Sequence, residues 1–177
     1  MRIIAGRWRG HRLKPLRGRD VRPTSDRVRE AWMGALGADL EGAVVVDLFA
    51  GSGALGLEAL SRGASHVTFV DLSRRALRVL RANIELLGVG SLTRVVRADA
   101  LGYTKRLQRE EVDLVLADPP YGRGLAGRLL DLYGERPFAG VLWVEHRSRE
   151  ELPGCPGLRL CQRVYGDTTL TIAEADA

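Results

Sequence analysis

The feature that most constrains the fold is the alternation of short apolar runs with amphipathic stretches between residues 43 and 145. The predicted strands occupy residues 44–49, 66–71, 93–97, 112–117 and 141–145, and all but the third are mainly apolar. One stretch between them has apolar residues at helical spacing after Ser73, a residue type that caps helices, and it stops at Gly88. Strands alternating with helices at this spacing predict an α/β fold with a mainly parallel sheet and helices on both faces.

The two ends of the chain follow other patterns. Residues 158–165 and 168–172 alternate apolar and polar side chains around Gly166-Asp167, which predicts an antiparallel C-terminal hairpin. Residues 1–16 predict a short basic hairpin. The remaining predicted helices run from a cap at residues 24–26 to Gly37, and over residues 54–60, 103–109 and 125–132. We expect an N-terminal extension over residues 1–40 that packs on a catalytic domain over residues 41–177.

Charge is concentrated at one end of this 177-residue chain. Residues 1–36 contain ten Lys or Arg against three Asp or Glu, whereas the remainder contains 17 against 19. Such a basic end predicts contact with a polyanion. Neither a membrane-spanning stretch nor a signal peptide is indicated, and Cys155 and Cys161 have no metal-ligand spacing with a histidine. We therefore expect a cytoplasmic protein with reduced thiols and no bound metal.

A glycine-rich turn follows the first apolar run. Gly51, Gly53 and Gly56 form a G-x-G-x-x-G array directly after Asp47-Leu48-Phe49-Ala50. Carboxylates also end the next three runs, at Asp71, Asp99 and Asp118. Four carboxylates along one sheet edge would repel a pyrophosphate but suit a cationic ligand with free hydroxyls, such as S-adenosylmethionine. Each aspartate could instead cap the helix that follows it.

We expect different aspartates to contact different parts of this ligand. Asp71 would accept hydrogen bonds from the ribose hydroxyls, Asp99 would meet the adenine amine, and Asp47 would help to hold the amino-acid end. The predicted cofactor-binding residues are Asp47, Phe49, Gly51, Gly53, Asp71, Leu72, Asp99, Ala100 and Asp118.

The fourth apolar run ends in Asp118-Pro119-Pro120-Tyr121. Two consecutive prolines remove two N–H donors and stiffen the backbone, so that the Asp118 carboxylate and a proline carbonyl are left as acceptors beside an aromatic ring. These groups suit a planar amine, whose N–H bonds the acceptors would take while Tyr121 stacks on its ring. A plain turn is the alternative.

Taken together, these residues resemble the class I S-adenosylmethionine-dependent methyltransferases, and the D-P-P-Y corner marks their amino-methylating branch. The chain is similar, more narrowly, to the bacterial family that methylates guanine N2 in 16S ribosomal RNA, at the guanine conventionally numbered 966. The stretches that carry the narrower resemblance are residues 2–10, 22–30, 47–59, 118–121 and 165–168. One departure is Asp71, where members often have Glu.

The resemblance implies methyl transfer to a guanine amine of 16S ribosomal RNA, leaving S-adenosylhomocysteine as the product. The small recognition surface favours an assembly particle as the substrate, and a monomer is the simplest expectation for the enzyme. Asp118, Pro119, Pro120 and Tyr121 would be the catalytic residues. The predicted RNA-binding residues are Arg2, Arg7, Arg9, Arg12, Arg22, Thr24 and Arg27, and Trp8 is expected to pack rather than to stack. Other possibilities are a methyltransferase acting on amines of DNA or another RNA, a protein-glutamine methyltransferase (which favours Asn at the first corner position), and a noncatalytic RNA-binding assembly module.

Overall fold

The computed structural model describes residues 1–16, 32–34 and 40–175. Seven strands form one sheet: β1 (Val44–Leu48), β2 (His66–Asp71), β3 (Thr93–Arg97), β4 (Leu114–Ala117), β5 (Val141–Arg147), β6 (Leu158–Tyr165) and β7 (Thr168–Ala175). Four helices follow the first four parallel strands in turn: α1 (Ala54–Ser61), α2 (Arg74–Leu87), α3 (Ala100–Thr104) and α4 (Leu125–Glu135). The predicted α/β class is confirmed.

The spatial order of the strands is β3-β2-β1-β4-β5-β7-β6. The first five in this order are mutually parallel, and β7 pairs antiparallel with both β5 and β6. The C-terminal hairpin is therefore confirmed, with Gly166 at a φ of 64° in its turn. Because the second strand of the hairpin lies between β5 and β6, the hairpin inserts β7 beside the parallel strands and leaves β6 at the edge.

Helices cover both faces of the sheet. One core cluster contains apolar residues of α1 and α2 and also Ile3 and Leu13 from the N-terminal segment. The other contains apolar residues of α3 and α4. The N-terminal segment therefore packs on the face that carries α1 and α2. No helix in the described part of the chain is long and apolar enough to cross a membrane.

The helix predicted over residues 103–109 is wrong in its position. It begins at Ala100, because the Asp99 side chain caps it through the Gly102 N–H at 2.7 Å, and it ends at Thr104. Its C-terminal end is fixed by a distant residue that the local pattern does not reveal. The Arg136 guanidinium donates to the carbonyl oxygens of Thr104 and Leu107, at 2.7 and 2.9 Å.

The N-terminal hairpin is confirmed by an antiparallel bridge between Arg2 and Arg12. Residues 32–34 are helical. The predicted helix cap at residues 24–26 and the predicted stop at Gly37 lie outside the described residues, and so do Arg22, Thr24 and Arg27. The division of the chain near residue 40 stays a prediction.

Candidate active site

The strand register brings the predicted site residues to one edge of the sheet. Leu48 at the end of β1 pairs with Val70 in β2 on one side and with Ala117 in β4 on the other. Since these strands are parallel, the segments that follow them emerge side by side. The glycine-rich turn therefore lies between Asp71 and Asp118, in the middle of the edge where parallel sheets bind ligands.

Positive φ angles shape the glycine-rich turn. Phe49 has a φ of 60°, Gly51 a φ of 56° and Gly53 a φ of 84°. Phe49 is the only non-glycine residue with positive φ in the described part of the chain, and such conformations concentrate at functional sites. A Cβ atom on Gly53 would lie 2.3 Å from the Leu80 side chain. Glycine therefore lets α1 begin directly against α2.

Asp47 is a buried carboxylate beneath this turn, with 1% of its surface exposed. Its Oδ2 accepts a hydrogen bond from the Gly56 N–H at 2.9 Å. Burial raises the pKa of Asp47 to about 8; the bond from Gly56 lowers it in part, and the charges of Asp118 and Asp71 raise it further. A carboxylate in this situation gains much from a nearby positive charge, because that charge would favour its ionised form.

Asp71 and Asp99 hold their own loops and keep capacity for further bonds. The two oxygens of Asp71 accept from the Gly51 N–H at 2.9 Å and from the Ser73 N–H at 2.7 Å. Asp99 caps α3, so the capping alternative is correct for that residue without excluding a ligand, since a carboxylate offers about four acceptor positions. Among the neighbours that we predicted to bind cofactor, Leu72 is exposed and Ala100 is buried.

Tyr121 is held in place by residues that the sequence analysis did not assign to the site. Its hydroxyl donates to Glu145 Oε1 at 2.5 Å and lies 3.3 Å from the Thr168 hydroxyl. Burial and the bond to Glu145 raise the pKa of Tyr121 well above its usual range, so that the hydroxyl stays protonated. The Arg147 guanidinium carbon lies 5.5 Å from the centre of the ring. These contacts fix the plane of the aromatic ring beside Asp118.

Pro119 and Pro120 differ in their surroundings. Pro119 is buried, Pro120 is exposed, and Asp118 is partly exposed between the strand and the corner. The corner therefore offers a carboxylate and an aromatic ring to a ligand. The two prolines contribute no backbone N–H donors there. A sequence signal for Glu145 did exist, because it is the carboxylate that follows the apolar run of β5.

A buried glutamate attaches the N-terminal hairpin to the helix that follows the glycine-rich turn. The carboxylate of Glu58, in α1, accepts from the backbone N–H groups of Ile4 and Ala5 at 2.8 and 3.0 Å, and from Arg62 Nε at 2.9 Å. Glu58 is the only charged residue in α1, whose other residues are apolar except for Ser61 at its end, and that was the signal for a buried role. A Cβ atom on Gly6 would lie 1.7 Å from the Ser61 carbonyl oxygen, which shows how closely the hairpin approaches α1.

Asn83 connects the same N-terminal segment to the glycine-rich turn. Its side-chain amide donates to the carbonyl oxygens of Lys14 and Ser52 at 3.1 and 2.9 Å, and its Oδ1 accepts from the Lys14 N–H at 2.8 Å. The buried Asn83 therefore couples the position of the basic segment to that of the turn between Gly51 and Gly53.

The hairpin displays its basic side chains to solvent. The exposed residues among the predicted RNA contacts are Arg2, Arg7, Arg9 and Arg12. Trp8 packs against the core as predicted, and the Arg7 guanidinium carbon lies 5.2 Å from the centre of its ring. The hairpin is therefore a positively charged surface that is firmly attached to the face of the sheet that carries α1 and α2.

Comparison with known proteins gives the family. The family described as conserved hypothetical protein 95 matches residues 1–174. The chain is 36% identical to ribosomal RNA small subunit methyltransferase D of Escherichia coli K12, over 88% of this chain and 79% of that one. It is 39% identical to the protein of the same name from Haemophilus influenzae, over 86% and 81%. The solved structure described as "Putative methyltransferase yhhF from Escherichia coli" superposes with a TM-score of 0.85 at 33% identity, over 100% and 98% of the two chains.

Proposed function

The chain belongs to the family described as conserved hypothetical protein 95, and from that premise we propose that it methylates the exocyclic N2 amine of a guanine in 16S ribosomal RNA with S-adenosylmethionine as donor. Relatives at 36% and 39% identity are named as methyltransferases of small-subunit ribosomal RNA, which supports the reaction class and the RNA. The position numbered 966 is the expected target by resemblance.

One observation carries the proposal more than any other. The pairing of β1 with β4 sets the Asp118 corner next to the glycine-rich turn, so that a donor held by the turn and an acceptor held by the corner would share one site. Two substrates that are held together in a defined geometry react as if they were parts of one molecule. This positioning supplies a large share of the lowering of the activation barrier.

The residues around the turn fit S-adenosylmethionine. Asp47 is a buried carboxyl group whose raised pKa indicates that its ionised form is disfavoured. A nearby ammonium group would stabilise that ionised form. Asp71 keeps acceptor capacity for the ribose hydroxyls, and the partly exposed Gly51 leaves space beside the turn, whereas the buried Gly53 serves to pack the turn against Leu80. When bound, the cofactor supplies a methyl group on a sulfonium that leaves as a neutral thioether.

The corner residues would prepare the amine. The lone pair of a guanine amine is delocalised into the ring, which makes the nitrogen a poor nucleophile. Acceptance of its N–H bonds by the Asp118 carboxylate and the Pro119 carbonyl would pyramidalise the nitrogen and orient its lone pair. Tyr121, whose ring plane is fixed by Glu145, would stack on an extruded base. A proton lost from the methylated amine could pass to Asp118 or to water.

The basic hairpin would supply contacts to the RNA. Arg2, Arg7, Arg9 and Arg12 are exposed on a segment that Glu58 and Asn83 fix to the helices beside the site. Phosphate contacts from such a segment position a substrate without reading its sequence. An assembly particle would present the correct guanine, in keeping with the small size of the chain.

The test is transfer of labelled methyl from S-adenosylmethionine to small ribosomal subunits that lack the modification, followed by mapping of the labelled nucleoside. N2-methylguanosine at a single 16S position is the expected result. Label in DNA or in protein, or no label despite tight cofactor binding, would refute the proposed substrate. Free 16S RNA assayed in parallel distinguishes the assembled particle from the naked RNA.

The substitution Asp118→Ala tests the proposed chemistry at the corner. We expect kcat to fall by about a thousandfold or more, because a positioned acceptor for the amine is lost, while the Kd for S-adenosylmethionine changes by less than about threefold. The Kd is measured by isothermal titration calorimetry. Equal losses in cofactor binding and turnover would contradict a role confined to the amine.

A further inference from the structure

The outer surface of α2 carries an arginine cluster that the proposed active site does not use. Arg74, Arg78 and Arg81 recur at helical spacing, and Arg97 at the end of β3 completes the cluster. These four residues, together with the buried Leu77, line an open concavity of about 410 Å³. We call it the α2 arginine cluster.

The charge of this cluster is not neutralised within the described part of the chain. None of the four guanidinium groups has a carboxylate within salt-bridge distance among residues 1–16, 32–34 and 40–175. Arg97 Nε donates to the Leu72 carbonyl oxygen at 3.2 Å, which leaves its charge uncompensated. Like charges one turn apart on a helix repel each other, so this arrangement costs stability unless an anion binds there.

The concentration of charge is local. After residue 36 the chain has 17 basic and 19 acidic residues, so the cluster is not a sample of a generally basic surface. The lining contains no exposed apolar side chain and no carboxylate, since Leu77 is only 1% exposed. Such a lining suits the phosphates of a nucleic-acid backbone better than a protein surface, which would present apolar groups for burial.

The cluster also lies on the same side of the sheet as the basic hairpin. Both α2 and the N-terminal segment pack on the core that includes α1. Lys14 is bonded to Asn83, two residues beyond Arg81 along α2. From Arg74 to Arg81 the helix rises by about 10 Å, a length comparable to several nucleotides of one strand. Two residues correspond to about 200° of rotation round the helix, so the N-terminal segment contacts the buried side of α2 and the cluster lies on its outer side. The cluster is therefore a second basic surface on the same face of the sheet.

We propose that the α2 arginine cluster binds the phosphate backbone of the ribosomal RNA away from the target nucleotide, as a second RNA contact surface besides the hairpin. The inference rests on the proposed function for the identity of the RNA. The role of the α2 arginine cluster is to hold the substrate, and the cluster takes no part in the chemistry at Asp118.

The experiment compares two triple variants that lose the same charge. The test variant is Arg74→Gln, Arg78→Gln and Arg81→Gln; Arg97 is kept because it holds the loop after Asp71. The control variant is Arg106→Gln, Arg109→Gln and Arg128→Gln, at exposed positions that belong to the face of α3 and α4. Binding to unmodified small subunits and to protein-free 16S RNA is measured from 50 to 300 mM salt, with cofactor affinity and circular dichroism as checks on folding.

We expect the test variant to bind both RNA substrates at least about tenfold more weakly, and the slope of log K against log salt to decrease by about 2–3, roughly one for each lost phosphate contact. The KM for subunits rises similarly, with kcat and cofactor Kd unchanged. The control variant should keep the wild-type slope.

Three results would overturn the proposal. One is an unchanged salt slope in the test variant, and another is an equal change in both triple variants, which would indicate net charge alone. The third is weakened binding to subunits but not to protein-free RNA, which would identify a ribosomal protein as the partner. If the wild type binds RNA but transfers no methyl group, the proposed function fails while the salt slopes still decide about the cluster. If it binds neither substrate, both proposals fail.

Discussion

The substitution Asp47→Asn separates the stability of the protein from its capacity to bind a cation. Asp47 is almost completely buried, and its pKa is raised from 3.8 to about 8. The unfolded chain therefore releases this proton near pH 4, whereas the folded protein keeps it up to about pH 8. Between these values the folded state holds one more proton than the unfolded state, so the free energy of unfolding contributed by Asp47 falls as pH rises.

The size of the effect follows from the two pKa values. For each pH unit above about 4, retention of this proton lowers the free energy of unfolding by about 1.4 kcal/mol. At pH 7 the total loss is roughly 4 kcal/mol. Asparagine cannot ionise, but it still presents a carbonyl oxygen to the Gly56 N–H. An imperfectly paired amide costs about 1–3 kcal/mol. We therefore expect Asp47→Asn to be about 1–3 kcal/mol more stable than the wild type at pH 7 and no more stable at pH 4.

The measurement is urea unfolding of both proteins, followed by circular dichroism, at pH values from 4.5 to 7.5. The difference between them should grow by about 1.4 kcal/mol per pH unit, because the contributions of the other titrating groups largely cancel. Binding of S-adenosylmethionine should weaken by at least about tenfold in the same variant. A stability difference that does not change with pH would refute the reasoning about Asp47.

Three further substitutions test other parts of the structure. Tyr121→Phe removes one hydrogen-bond donor from the buried Glu145, so the free energy of unfolding in urea should fall by about 1–3 kcal/mol while methyl transfer continues. Tyr121→Ala also removes the ring and should lower kcat/KM at least about tenfold. Equal activity of the two variants would exclude stacking. Glu58→Ala leaves two backbone N–H groups of the hairpin without their acceptor, so limited proteolysis should cleave the N-terminal segment faster; unchanged cleavage would contradict this attachment. Gly56→Ala places a Cβ atom 2.4 Å from a ring carbon of Phe69 in β2, so the free energy of unfolding should fall by about 1–3 kcal/mol. In the control Gly90→Ala the new Cβ atom meets nothing within 4 Å. Similar stability of the two variants would argue against the packing explanation.

The elements of the parallel sheet were predictable because their signals are local. A short apolar run bounded by turn residues indicates a strand buried on both faces of a sheet, and Ser73 and Gly88 mark the two ends of α2 by their own conformational preferences. The glycine-rich turn and the Asp118 corner could also be predicted, since each is a short contiguous segment. Their position at one sheet edge followed from the parallel direction of the strands.

Other features depend on residues that are distant in sequence. The position of β7 between β5 and β6, the end of α3 under Arg136 and the burial of Glu58 against the hairpin each require two segments to meet. The raised pKa of Asp47 likewise comes from the surroundings that fold over it. Local residue preferences thus determined the elements and the chemical groups of the site. Long-range pairing and burial decided which groups are neutral, which are fixed in orientation, and which arginines share one face, because those properties arise only when separate segments pack together.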